Sequence, residues 1–306
     1  MSPLPLSPVT APGPVEVWIV AARPKTLPAA LAPVLVGTAV AWAAGGFRAG
    51  PAAAAALGAL LLQIGSNLAN DVFDFERGAD REGRTGPLRV TQAGLLTPAQ
   101  VRAGMVAVFG LALLVGIYLT IEAGWPVVAI GLSAIAAAIA YTGGPFPLGY
   151  NGLGELFVMI FFGFAAVCGT AFVQAMYVPA AAWPAGFAAG CLATAILVVN
   201  NVRDIEQDRE SGKRTLSVRF GRPWGVAEFA SLVGLAYLVP VLLVMTDRAA
   251  VQLLLVLLSA PLALPLIRSL RHERGPVLNR TLAGTARLFL VWSVLYSTGL
   301  LLGGSA

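Results

Sequence analysis

The chain has 306 residues, of which 58% are hydrophobic and only 11% charged, and its mean hydropathy is +0.80. A soluble chain carries roughly 25% charged residues, so there is too little charge here to cover water-exposed domains, and the chain reads as a polytopic membrane protein. The net charge of +5 does not call for a nucleic-acid partner, because nearly all the basic residues fall in the loops of one side.

Residues 1–15 hold five prolines and no Lys or Arg, unlike a cleavable signal peptide. They are expected to form a disordered tail ahead of one transmembrane domain over 16–306. At about 20 residues per crossing, nine helices are predicted, over 28–45, 51–75, 98–120, 125–142, 153–177, 184–204, 224–246, 249–269 and 284–303. Gly and Pro punctuate many of their ends. Pro33, Pro240, Pro261 and Pro265 fall inside spans, which a bundle tolerates. Cys168 and Cys191 sit in apolar stretches without ligand-like neighbours and read as packing residues. The one histidine, His272, lies in a basic loop, so histidine-based metal or triad chemistry is not expected. Trp125, Trp183 and Trp224 at span ends read as belt residues.

Eighteen of the twenty Lys and Arg fall at one side of these spans: Arg23 and Lys25 before the first, then the 2–3, 6–7 and 8–9 connections and their edges. Only Arg48 and Arg248 remain for the other side. Basic loops stay in the cytoplasm, so the amino terminus is expected inside and the carboxyl terminus outside a bacterial plasma membrane. The expected fold is an all-α membrane protein, a bundle of nine transmembrane helices around a central cavity open to the cytoplasmic side.

Nine of the 15 acidic residues fall in two short segments. The first holds Asp71, Asp74, Glu76, Asp80 and Glu82; the second holds Asp204, Glu206, Asp208 and Glu210. Each begins where an even-numbered helix reaches the cytoplasmic side, and each contains Asn-x-x-x-Asp. Residues at i, i+3 and i+4 share a helix face, so Asn67, Asp71 and Asp74 should project together, as should Asn200, Asp204 and Asp208. Asn70 lies beside the first set. Carboxylates this close repel and are costly to dehydrate unless something compensates. Oxygen ligands without His or Cys suit a hard cation, Mg²⁺ by default, which completes its shell with water and substrate phosphate. Two such clusters suggest a diphosphate held between metal ions. Arg84 and Arg89 follow the first cluster and Lys213 and Arg214 the second, placed to neutralise phosphate oxygens. The plainer alternative is a solvated loop with weak surface ion pairs, but matched spacing on one side of a charge-poor chain argues against it.

On these residues the chain resembles the UbiA-type membrane prenyltransferases, and within them the dihydroxynaphthoate polyprenyltransferases. The resemblance rests on ARPKTLPAALAPVLVG from Ala22, NLANDVFDFERGAD from Asn67, GPLRVTQAG from Gly86, YTGGPFPLGYNGLGE from Tyr141 and NNVRDIEQDRESGKRTLSVRFG from Asn200. It implies Mg²⁺-diphosphate binding by Asn67, Asp71 and Asp74 and by Asn200, Asp204 and Asp208, with Lys213 on the diphosphate. Arg84 and Arg89 match basic positions more loosely. Where the broader pattern has a third acid, this chain has Gly78, with Asp80 two residues on. The resemblance places Tyr141 at the border of the acceptor pocket, where its ring can cover an allylic cation; by sequence alone it suits an interfacial anchor equally. Glu155, at the start of the fifth span, either orients the acceptor or faces the cytoplasmic loop. Arg23 and Lys25 suit diphosphate contact and ordinary membrane anchoring alike.

The implied reaction joins a polyprenyl diphosphate to 1,4-dihydroxy-2-naphthoate, with loss of diphosphate and CO2. Two alternatives stay open: another aromatic acceptor such as 4-hydroxybenzoate, and an ion-coupled transporter. A transporter would favour acids placed mid-span and inverted repeats, whereas here the acids gather at one face. The prenyl chain length is not set by the sequence.

Overall fold

A computed structural model describes residues 13–79 and 85–304. Helices make up its regular structure, with no strand among the described residues. Among the described residues, eight helical stretches are long and apolar enough to cross a bilayer, and a shorter apolar helix, Pro126–Ala140, stands in the place of the expected fourth span. The chain is a multi-pass integral membrane protein.

The first span begins earlier than expected. Helix α1 (Pro14–Ala22) starts inside the presumed tail, with Pro14 at its first position, where a missing N–H costs nothing. It runs into α2 (Leu27–Ala43) through a break at Arg23, which adopts a left-handed conformation (φ 52°) immediately before Pro24. A residue before proline is disfavoured in the α region, and the break turns Arg23 and Lys25 to the cavity edge.

Helix α3 (Ala49–Glu76) is unbroken to the end of the first acidic segment, so Asn67, Asp71 and Asp74 do share a helical surface, and all three are buried. Helix α4 (Pro98–Ala123) opens with a capping box at Thr97 and Gln100. Helix α5 (Pro126–Ala140) has 15 residues, about 22 Å at 1.5 Å per residue, short of a full bilayer crossing.

The fifth span joins α6 (Gly154–Val158), a π-helical stretch over Met159–Ala165 and α7 (Ala166–Ala175). The wider turn brings Phe161 and Phe162 onto the cavity wall; π segments recur at functional sites. Helix α8 (Ala182–Arg203) is the most enclosed span. Its small residues permit that: a Cβ on Gly190 would come 2.4 Å from Met159 Sδ, and one on Gly163 would come 2.7 Å from the Gly186 carbonyl oxygen.

Beyond α8 the chain breaks at Asp204 and resumes as α9 (Ile205–Glu210) and α10 (Leu216–Phe220) before α11 (Arg222–Met245). The eighth span is 3₁₀-helical over Val251–Leu262, with Pro261 inside it, and becomes α12 (Ala263–His272). Helix α13 (Leu278–Gly303) closes the bundle, burying Trp292, Phe289 and Tyr296 among the largest side chains of the core. Both cysteines are free and buried. Trp125, Trp183 and Trp224 are exposed. Arg48 pairs with Glu122 at the end opposite the acidic segments.

Candidate active site

A cavity of about 1040 Å³ runs through the bundle. Its apolar wall follows α4 and α5 as far as Thr120 and Val127, with Phe157, Phe161 and Phe162 facing them. Its polar mouth carries Asn70, Asp74, Arg89, Asn200, Asp204, Asp208 and Lys213.

Lys213 joins the two acidic segments. Its Nζ stands 3.6 Å from Asp74 Oδ1 and 3.7 Å from Asp208 Oδ1. One ammonium touching both fixes those oxygens no more than about 7 Å apart, close enough for appreciable repulsion without the cation between them. The same ammonium lies 4.8 Å from the ring centre of Tyr150, and the Tyr150 hydroxyl donates to Asp74 Oδ1 at 2.8 Å. Arg89 Nη2 closes the other oxygen of Asp74 at 2.6 Å. Asp74 is thus held by Lys213, Arg89 and Tyr150 together.

Asp71 and Asn67 are used differently. Asp71 accepts the backbone N–H groups of Val90 and Thr91, each at 3.1 Å, and lies 3.7 Å from Arg23. It ties down the connection that carries Arg89. Asn67 donates to the Ala22 carbonyl and to Thr26 Oγ1, each at 3.0 Å, and so anchors the break between α1 and α2. Neither residue reaches the cavity wall, nor does Glu155. Asn70 accepts from Thr142 Oγ1 at 3.0 Å. Asp80, Glu82 and Arg84 lie outside the described residues.

In the second segment the expectation of one continuous helical face gives way to a break. Because α8 ends at Arg203, that residue folds back on its own neighbour. Its guanidinium holds Asp204 through Nε (2.7 Å) and Nη2 (2.5 Å), and also donates to Asn200 Oδ1 and Asn279 Oδ1. Thr85 Oγ1 donates to Asp204 at 2.7 Å, and Asn279 donates to the Thr85 carbonyl. Asp204 is therefore held directly by Arg203 and Thr85, and Asn279 braces both of them. Its charge is compensated by Arg203, which positive-inside counting treats as a loop residue.

The glycine-rich segment 141–153 fastens the two acidic segments to each other. Arg77, after the first, donates to the carbonyl groups of Thr142 and Gly144. After the second, the Arg214 N–H donates to the Tyr150 carbonyl, and Arg219 donates to that of Asn151. The Tyr141 ring packs between glycines: a Cβ on Gly149 would meet it at 2.9 Å, and one on Gly154 would meet its hydroxyl at 2.9 Å. Tyr141, Tyr150 and Asn201 all line the cavity. Sequence reasoning gave no role to Tyr150 or to Asn201, which it noted only as part of the second segment; the clue available for Tyr150 was its place inside a Gly-rich run between the two motifs.

The donor set bears on metal binding. Asp74, Asp204 and Asp208 present oxygen at the mouth, and no group of three or more acidic, His or Cys side chains sits close enough to cage an ion among the described residues. Such a set fits a hard cation that takes one or two carboxylates and draws its remaining ligands from phosphate and water.

Comparison with known proteins identifies the family. The model of the UbiA prenyltransferase family matches residues 30–301. The chain belongs to that family. It is therefore a transferase of the prenyltransferase class. The 1,4-dihydroxy-2-naphthoate octaprenyltransferase of Escherichia coli K12 is 39% identical over 94% of this chain and 96% of its own length. The protein of the same description from Mycobacterium tuberculosis H37Rv is 39% identical, over 94% and 97%. Among solved structures, a UbiA homolog from Aeropyrum pernix K1 superposes with a TM-score of 0.68 at 15% identity, over 92% of this chain and 98% of that one. A UbiA homolog from Archaeoglobus fulgidus, bound to GPP and Mg²⁺, superposes with a TM-score of 0.64 at 16% identity, over 92% and 99%. At those identities the family bundle is shared.

Proposed function

We propose that this chain is a dihydroxynaphthoate polyprenyltransferase of menaquinone biosynthesis, working at the cytoplasmic face of a bacterial plasma membrane with its amino terminus inside. It moves the prenyl group of a polyprenyl diphosphate onto 1,4-dihydroxy-2-naphthoate. The observation that carries this reading is the Asp74–Lys213–Asp208 bridge at the polar mouth of a cavity whose deeper walls are apolar. Relatives at 39% identity bear the name of that reaction.

Asp74, Asp204 and Asp208 would hold Mg²⁺, which supplies electrostatic stabilisation for the oxygens of the leaving diphosphate. Lys213 moves its ammonium from the two carboxylates onto the phosphate and stabilises charge as the C–O bond breaks. Arg89 and Arg203 pair with Asp74 and Asp204 and hold them aimed. The prenyl chain lies along α4 and α5, where apolar side chains exclude the water that would consume an allylic cation. Tyr141 presents its ring to that cation. The ring carbon bearing the carboxylate forms the new C–C bond, and CO2 departs leaving its bonding electrons in the ring.

The test is to incubate purified protein with one polyprenyl diphosphate and a panel of aromatic acceptors, reading products by mass spectrometry and diphosphate release with and without Mg²⁺. Prenylated, decarboxylated naphthalenediol is expected. Product with 4-hydroxybenzoate alone, or no diphosphate release with any acceptor, would overturn the assignment.

A further inference from the structure

Asn201 follows the asparagine of the second motif and is only 6% exposed, on the cavity wall. Its Nδ2 donates to Glu155 Oε1 at 2.8 Å. With that oxygen accepting, the contact locks the amide nitrogen toward Glu155 and turns the amide oxygen away. The oxygen accepts no hydrogen bond from the described residues, and Asn201 lines the cavity.

The surroundings reinforce the lock. Glu155 is 8% exposed, and its Oε2 has no partner. Turning the amide over would set Oδ1 against a carboxyl oxygen in place of the Nδ2 donor. One residue before Glu155, Gly154 supports the Tyr141 hydroxyl. Tyr141 and Asn201 therefore flank the same short stretch of α6.

We propose that Asn201, held by Glu155, recognises the aromatic acceptor by accepting a hydrogen bond from one of its ring hydroxyls. Glu155 is a positioning residue that works through Asn201 and does not touch the acceptor. The inference rests on the aromatic prenyl-transfer reading above. A fixed acceptor oxygen favours a hydroxylated ring over one whose oxygen is methylated, because the methylated oxygen has no proton to give. The bond also leaves more electron density on that oxygen and hence on the ring carbon that attacks.

The experiment compares kcat/KM for dihydroxynaphthoate and for its two mono-methyl ethers, with a single prenyl diphosphate, in wild type, Asn201→Leu and Glu155→Gln. Wild type should disfavour one methyl ether by about tenfold or more, the worth of one hydrogen bond in a shielded site. Asn201→Leu should lose that discrimination; the ratio between the two proteins cancels the ether's own reactivity. Glu155→Gln, whose amide can face Asn201 either way round, should raise KM for the acceptor about tenfold. Its KM for the prenyl diphosphate should stay within about twofold, a split that general loosening of the fold would not produce. Wild type that uses both ethers as well as the parent overturns the proposal, whether or not the variants fold. So does an unchanged acceptor KM and preference in both variants. Wild type that prenylates no hydroxylated ring defeats the underlying reading as well, so the two failures are distinguishable.

Discussion

Replacing Lys213 with Met keeps the length of the side chain and its packing over Tyr150 but removes a charge that touches both acidic segments. Two opposing consequences follow. Asp74 and Asp208 lose their shared cation at a separation of no more than about 7 Å, which at an effective dielectric constant near 20 leaves a repulsion of roughly 2 kcal/mol. Asp74 retains Arg89 and Tyr150, so the fold should survive with a modestly lower Tm. A site richer in uncompensated negative charge should bind a divalent cation no less well without substrate. The diphosphate, in contrast, loses a charge-assisted contact worth about 1.5–3 kcal/mol, or about 10- to 150-fold in kcat/KM. The assay is initial-rate diphosphate release by detergent-solubilised protein, titrated in prenyl diphosphate at several Mg²⁺ concentrations. Acceptor KM should stay near that of wild type. If kcat/KM for the prenyl diphosphate fell by less than threefold in folded Lys213→Met, Lys213 would be a structural clasp between helices and the assignment to phosphate would be wrong.

Two further outcomes follow from particular contacts. Asp71→Asn removes the charge from a carboxylate that holds the Val90 and Thr91 N–H groups, at a cost of about 1.5–3 kcal/mol; hydrogen exchange at those two amides should accelerate and Arg89 should release Asp74. A variant with unchanged exchange but an altered Mg²⁺ requirement would show instead that Asp71 serves as a metal ligand. Gly154→Ala drives a Cβ to 2.9 Å from the Tyr141 hydroxyl, an overpacking cost of about 1–3 kcal/mol. Thermal melts should show that Tyr141→Phe in the same chain restores most of that loss; failure to restore it would mean that the ring does not sit where described.

Much of the fold was legible because a bilayer imposes a length and a composition on every crossing. The run of apolar segments, their punctuation by Gly and Pro and the one-sided placement of Lys and Arg required no knowledge of packing. The same holds for the two acidic segments, since carboxylates are too costly at membrane depth to gather by chance. Local rules failed where backbone geometry departs from the α-helix. The π stretch at Met159–Ala165 and the 3₁₀ run at Val251–Leu262 have the composition of ordinary spans. The break at Asp204 interrupts what spacing presents as one face. The prolines before residue 15 suggested a tail, although one of them starts α1.

The sequence by itself determined a membrane bundle with two acidic segments at one end and named the residue types that could meet a metal and a diphosphate. Only the tertiary structure decided how those residues divide the work. Asp74, Asp204 and Asp208 face the cavity, while Asp71 and Asn67 hold backbone in place. Lys213 is shared between segments more than 130 positions apart in the chain, and Tyr150 and Asn201 enter the site through the folding of a Gly-rich loop and an adjacent buried acid. The physical reason is that hydropathy and periodicity report how a residue relates to its solvent and its own helix, whereas a hydrogen bond or ion pair between segments exists only once other helices have brought its partners within about 3–4 Å.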